Sequence, residues 1–298
     1  MTRNLVADVL LGVAVGDALG VPHEFKGRSV FVNKQVTFME GYGTYHVPVG
    51  TWSDDTSLTL CLAQSLLKGY DLEDIAANFV KWVKDGLWTA TGTLFDIGIT
   101  TRNSIRQLER GINPLHSGDF DEYANGNGSL MRILPLIFYL KDKPINERYE
   151  LVKQVSAITH AHIRSVIACF YYTEFALQLI QGVSPMGAYN NNKTRITHFL
   201  SSQDINPKEI DKFKRLLQED IYFTQDNFIM SSGYVIHTLE ASIWSVLTTS
   251  SYKEAVLKAV NLGEDTDTTG AVTGGLAGLI YGASEIPYEW LFCACQER

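Results

Sequence analysis

Two carboxylate clusters far apart in the chain carry the densest potential chemistry: Ser53-Asp54-Asp55-Thr56 and Asp265-Thr266-Asp267-Thr268-Thr269. Each crowds acids and hydroxyls into a few residues, the oxygen-donor set that hard divalent cations such as Mg²⁺ prefer. Either cluster alone also reads as a helix start, where acids in the first turn complement unpaired N–H groups and the positive dipole end. Together they are harder to account for as caps. Gathering so many like charges is unfavourable without a cation between them, so the pair predicts a two-metal centre built from both ends of the sequence.

Other residues have the character of a site. Asp96, in Leu94-Phe95-Asp96-Ile97-Gly98, is an acid wedged between apolar neighbours and needs either a partner or a task, unless it caps the following helix. Asn125-Gly126-Asn127-Gly128-Ser129 opens an apolar stretch and offers free N–H groups to phosphate oxygens, or else serves a tight turn, with Arg132 placed to meet a phosphate or a structural acid. Gly16-Asp17-Ala18-Leu19-Gly20 with Glu24, and Gly270 with Gly274-Gly275, mark places where backbone and ligand approach closely. In Thr159-His160-Ala161-His162, one histidine is structural and the other faces a ligand.

These residues need a scaffold, and apolar spacing of three and four supplies helices over Leu58–Leu67, Asp74–Val83, Ile97–Leu108, Leu130–Leu140, Leu151–Ile158, Ser165–Gln181, Ser232–Leu247 and Tyr252–Asn261. Alternating strand patterns are nearly absent. The segment 27–49 reads as an irregular loop with a short hairpin or strand. The polar, Asn-rich stretch 182–226 reads as an insertion, loop-like at Asn190-Asn191-Asn192-Lys193 and helical around Pro207–Gln218. Because the acidic clusters lie 210 residues apart (55 to 265) yet must meet, the expectation is one all-α domain over residues 1–298.

Composition narrows the function. With 298 residues and 45% apolar content the chain can bury a sizeable core, and a net charge of −8 argues against a nucleic-acid partner held through its phosphates. Cys61 and Cys169 sit in apolar helical patterns as buried thiols, and Cys293 and Cys295 show no metal-binding CxxC spacing, which fits a reducing compartment. Asp8 interrupts the apolar run 5–15 and Gly16-Asp17 follows it, so that run is not expected to be a signal peptide or membrane span. A cytoplasmic location is expected.

Taken jointly, the motifs 16–24, 52–56, 125–132, 159–160 and 263–268 resemble those of the ADP-ribosylglycohydrolase family, in order and over most of the chain. The resemblance implies an all-α fold with a cleft holding two Mg²⁺, or Mn²⁺. By position it assigns Ser53, Asp54, Asp55, Asp265, Asp267 and Thr268 as metal ligands; Ser53 stands where the family usually has threonine and keeps the hydroxyl. It implies catalytic roles for Glu24, Asp96 and Asp55, and places Gly98, Asn125, Gly126, Asn127, Gly128, Ser129, Met131 and His160 around ADP-ribose. The Phe95-Asp96-Ile97-Gly98 stretch resembles the arginine-directed members, so the implied substrate is an ADP-ribosylated protein, modified on arginine by a regulatory enzyme or a toxin. Two other functions compete: hydrolysis of a different ADP-ribosyl compound (serine-linked, nucleic-acid-linked or O-acetyl-ADP-ribose) and non-catalytic ADP-ribose binding.

Overall fold

The computed structural model describes residues 3–295, and among them there is no strand, only the isolated bridges Tyr42–Val47, Asp119–His160 and Gly126–Tyr234. The principal helices are α1 (Leu5–Gly20), α2 (Asp54–Leu66), α3 (Leu72–Asp85), α4 (Ile99–Glu109), α5 (Ile145–Ala157), α6 (Ile163–Ile180), α7 (Pro185–Ser201), α8 (Val235–Leu247), α9 (Tyr252–Val260) and α10 (Thr266–Tyr281). The expected all-α single domain is what forms.

Its axis is the α1–α10 pair, which joins the two ends of the chain. Gly12, Gly16 and Gly20 recur every four residues and so share one face of α1, as Gly270, Gly274 and Gly278 do on α10. A Cβ on Gly16 would lie 2.2 Å from the Gly270 carbonyl oxygen, one on Gly274 2.2 Å from that of Gly12, and one on Gly278 2.1 Å from that of Asp8. Positions rise along α1 as they fall along α10, so the helices run antiparallel with backbone against backbone. The glycines expected to admit a ligand therefore admit a helix. The apolar α1, extended to His23 by a 3-10 turn, has the length and composition to cross a membrane, but 67% of that stretch is buried within the fold.

Three local expectations are corrected. Residues 130–133 form turns rather than a helix, leading to a 3-10 turn at Leu134–Leu136 and a short helix at Ile137–Leu140, because Pro135 has no N–H to donate. The run Asn190–Asn192 lies inside α7: Asn192 is buried, accepts from Gln178 Nε2 (2.7 Å) and donates to the Tyr171 carbonyl, while Asn191 donates to Gln178 Oε1 (2.8 Å). These amides face α6 instead of competing for their own backbone, which removes the usual reason for asparagine to break a helix. Within 27–49 a short helix forms at Arg28–Asn33, and the Tyr42–Val47 bridge closes a tight turn. Further along, Arg164 anchors the helix Pro207–Asp211 through Glu209 (2.5 and 2.9 Å) and also holds Glu122 (2.9 Å).

Candidate functional site

The α1–α10 contact ends at Gly20 against Asp267, where the acidic residues gather. α2 begins beside it, with Ser53 at its N-cap position and Asp54 and Asp55 in its first turn. Ser53 Oγ accepts from the Asp55 N–H (3.3 Å) and donates to Asp55 Oδ2 (3.0 Å), which also accepts from Thr268 Oγ1 (3.3 Å). The two clusters thus meet directly. At α10 the N-cap position is Asp265, but its side chain caps nothing; its Oδ2 accepts from Asn127 Nδ2 (2.9 Å).

The carboxylates form two overlapping groups. Asp17, Asp55 and Asp267 bring oxygens within 4.8 Å of one another, and so do Glu24, Asp96 and Asp267, which makes Asp267 common to both. The donor set fits divalent cations: Asp55 Oδ1, Asp265 Oδ1 and Asp267 Oδ2 are buried with no hydrogen-bond partner, so three carboxylates each keep an oxygen free in a region closed to bulk solvent. Burial first and mutual repulsion next raise Asp54, Asp55 and Asp267 well above the usual carboxylate range. Burial also lifts Asp17 to about 7 against the hydrogen bonds it accepts, and burial with the Asp96 charge lifts Glu24 to about 9.

Above the acids opens a cleft of about 290 Å³. Of the residues expected at the site, Glu24, Asp54, Asp96, Gly98, Gly126, Asn127, Gly128, Met131, His160, Asp265 and Thr268 line it, while Asp55 and Asp267 are buried beneath and Ser53 borders a smaller adjoining hollow. Asn125 and Ser129 turn away: Asn125 bonds the Glu122 carbonyl (2.7 Å) and Ser165 (3.3 Å), and Ser129 is fully buried against Ser156 (2.9 Å). These partners use both side chains to fix the loop, and neither residue is among those lining the cleft. Asn127 faces the cleft but commits its amide to Asp265 and to Thr238 Oγ1 (2.9 Å), so it orients a carboxylate. Arg132, fully buried over the Phe79 ring, donates to the Gly128 and Val155 carbonyls and braces the loop from behind.

His160 shares a hydrogen bond with Thr159 Oγ1 through Nδ1 (2.8 Å), and burial plus the Arg132 charge lower it to about 3, so the imidazole is neutral. A Cβ on Gly128 would approach His160 Cε1 to 2.8 Å, which explains glycine there without a phosphate. Asp96 is not the cap of α4, whose N-cap position is Gly98; it stands two residues earlier with φ +48° and joins the second acidic group. Left-handed backbone at Phe25 (+64°), Tyr42 (+68°), His46 (+56°), Asp96 and Glu264 (+61°) clusters on segments flanking the acids.

Sequence reading gave no role to two participants. Tyr45 donates to Glu24 Oε2 (2.5 Å) and packs its ring on Phe95 (5.0 Å between centroids), tying the Glu24 segment to the Asp96 loop. An aromatic in an irregular segment gave no signal of this. Asp17 did give one: it is an acid inside an almost wholly apolar helix, the criterion that singled out Asp96.

Comparison with known proteins agrees with this geometry. A sequence model of the family described as ADP-ribosylglycohydrolase matches residues 2–297. ADP-ribosylarginine hydrolase Tri1 of Serratia proteamaculans (strain 568) is 34% identical over 285 residues, covering 95% of this chain and 73% of that protein. The ADP-ribosyl-[dinitrogen reductase] glycohydrolase of Rhodospirillum rubrum is 31% identical over 289 residues, covering 94% and 87%. A solved structure titled "ADP-ribosylglycohydrolase-related protein complex" superposes with a TM-score of 0.79 at 30% identity, covering 97% of this chain and 91% of that one. A helical fold that draws acids from both ends of the sequence beneath one cleft, with a family match spanning nearly its whole length, places this chain in the ADP-ribosylglycohydrolase family.

Proposed function

We propose that the protein is a cytoplasmic, Mg²⁺-dependent hydrolase that removes ADP-ribose from modified arginine side chains of proteins, reversing a regulatory or toxin-derived modification. The observation that carries this reading is the pair of acidic groups sharing Asp267 directly beneath the cleft. Ser53, Asp54, Asp55, Asp265, Asp267 and Thr268 would hold the cations, Mg²⁺ or in its place Mn²⁺. When bound, two divalent ions supply positive charge that neutralises these carboxylates, orients ribose hydroxyls and lowers the pKa of water.

The chain's own residues account for the remaining chemistry. Water attacks the anomeric carbon through an oxocarbenium-like transition state, and the breaking C–N bond leaves its electron pair on the guanidine nitrogen. Glu24, held by Tyr45, takes the water's proton as an ionised carboxylate, and that proton returns the departing group to guanidinium. Asp96, facing Glu24 at the cleft wall, attracts and orients the cationic side chain. Arginine linkage is supported by this acidic wall and by the name of the relative at 34% identity.

Incubation with an arginine-ADP-ribosylated protein and Mg²⁺ tests the reading: release of free ADP-ribose that EDTA abolishes is expected, and no release from the metal-loaded protein would overturn it. Asp96→Asn is expected to slow arginine-linked cleavage about 100-fold while leaving Mg²⁺ uptake intact; lost uptake would make Asp96 a ligand.

The raised carboxylates also predict how stability depends on pH. Without metal, the folded state binds protons more tightly than the unfolded chain, so this contribution is fully present below the unfolded values near pH 4. It is lost as pH rises through about 7 for Asp17 and about 9 for Glu24. Cations prefer the ionised groups, so the gain in Tm from saturating Mg²⁺ should be near zero at about pH 5 and reach roughly 5–10 °C at about pH 8. Thermal scans with Mg²⁺ and with EDTA across this range check it; a gain independent of pH would contradict it.

A further inference from the structure

Asp17 belongs geometrically to one of the acidic groups, yet it differs from the others in one respect. Asp55, Asp265 and Asp267 each keep a buried oxygen without a partner, whereas both oxygens of Asp17 are taken by the first turn of α2. The Ser53 N–H donates to Oδ1 (2.9 Å) and Oδ2 (3.0 Å), and Oδ2 also accepts from the Thr56 N–H (3.0 Å) and Thr56 Oγ1 (2.6 Å). In a capping box the N-cap side chain serves the N–H three residues on, and an acid at that third position reaches back to the N-cap N–H. Here one carboxylate from α1 accepts both of those N–H groups. Ser53 is therefore released from capping Thr56 and turns its hydroxyl to Asp55 Oδ2 (3.0 Å).

From this we infer that Asp17 is a positioning residue of the metal centre: a cap supplied by α1 that sets the orientation of Ser53, Asp54 and Asp55 without itself ligating a cation. The inference rests on the proposed metal-dependent reading. It also explains why the glycine-lined α1–α10 contact matters to the site. Gly16 presses α1 against Gly270, the next residue is Asp17, and the same contact brings Asp267 beside Gly20, so one helix pair registers α2 against α10. Outer groups that orient metal ligands typically affect metal affinity by about 10–100-fold, less than loss of a ligand does.

Calorimetric titration of the full chain with Mn²⁺ alone, and with Mg²⁺ alone, separates the roles. Asp17→Asn keeps one acceptor oxygen and should weaken cation affinity about 10-fold with stoichiometry unchanged; Asp17→Ala, which keeps none, should weaken it about 100-fold. Thr56→Val removes one donor and should give a smaller loss, about 3-fold, and serves if the Asp17 variants do not fold. A stoichiometry lower by one in Asp17→Asn would make Asp17 a ligand and overturn the inference. So would unchanged affinity accompanied only by a lower Tm, the result of a purely structural cap. Wild-type protein that takes up neither cation would overturn the metal-dependent reading itself, an outcome distinct from either of these.

Discussion

Asp267→Asn should lower kcat/KM for metal-dependent release of ADP-ribose by about 1,000-fold while making the metal-free protein more stable than wild type near pH 8. Both effects follow from its position. Asp267 is the carboxylate shared by the two acidic groups; its Oδ1 accepts from the Thr268 N–H (2.9 Å), and its Oδ2 is buried with no partner. Asparagine keeps the bond to Thr268 but puts a neutral donor where a cation would need an anionic oxygen. The substitution also removes a carboxylate that is costly to ionise there, first because of its burial and then because of the Glu24, Asp96, Asp265 and Asp55 charges. The stabilisation, read by thermal scans in EDTA, distinguishes a lost ligand from a misfolded variant, which would lose activity and stability together. Turnover near the wild-type rate would refute the shared-site geometry.

The glycines show where the sequence was legible and where it was not. That Asp54, Asp55, Asp265 and Asp267 should meet could be read directly, because like charges at that density imply a compensating cation whatever the fold. Helices with a clear amphipathic period, such as α3 and α9, were legible for the same kind of local reason. α1 and α10 were not: buried almost all round, they have no polar face to create a period, and their glycines look like loop punctuation. A glycine that admits a ligand and one that admits a helix are identical in sequence; only the four-residue recurrence in both segments separates them, and it acquires meaning once the segments are known to pair. The side-chain directions of Asn125, Asn127 and Ser129 were hidden for a different reason. Their residue types suit a phosphate loop, but which way a side chain points is decided by distant partners such as Ser165, Asp265 and Ser156.

The same pair gives the largest expected effect on the fold. In Gly16→Ala the new methyl would sit 2.2 Å from the Gly270 carbonyl oxygen and 2.7 Å from its carbon, both backbone atoms that cannot rotate aside. The helices must separate or α1 must shift, at a cost of about 3 kcal/mol or more, equivalent to roughly 5 °C in Tm. Because Asp17 follows directly, the displaced helix should also loosen its hold on α2, so the folded fraction loses Mg²⁺ affinity as well. Gly275→Ala is the informative contrast. Its closest atoms belong to the side chains of Leu134 (2.5 Å) and Val13 (3.0 Å), which can change rotamer, so a loss of about 1 kcal/mol is expected despite a similar nominal overlap. Gly27→Ala meets nothing within 4 Å and should fall within about 0.5 kcal/mol of wild type. Denaturant midpoints in that order would establish that backbone contact between the first and last long helices holds the fold and the acidic site together. Equal effects at Gly16 and Gly275 would mean the helix pair yields as easily as a side chain, and its role in registering α2 against α10 would have to be given up.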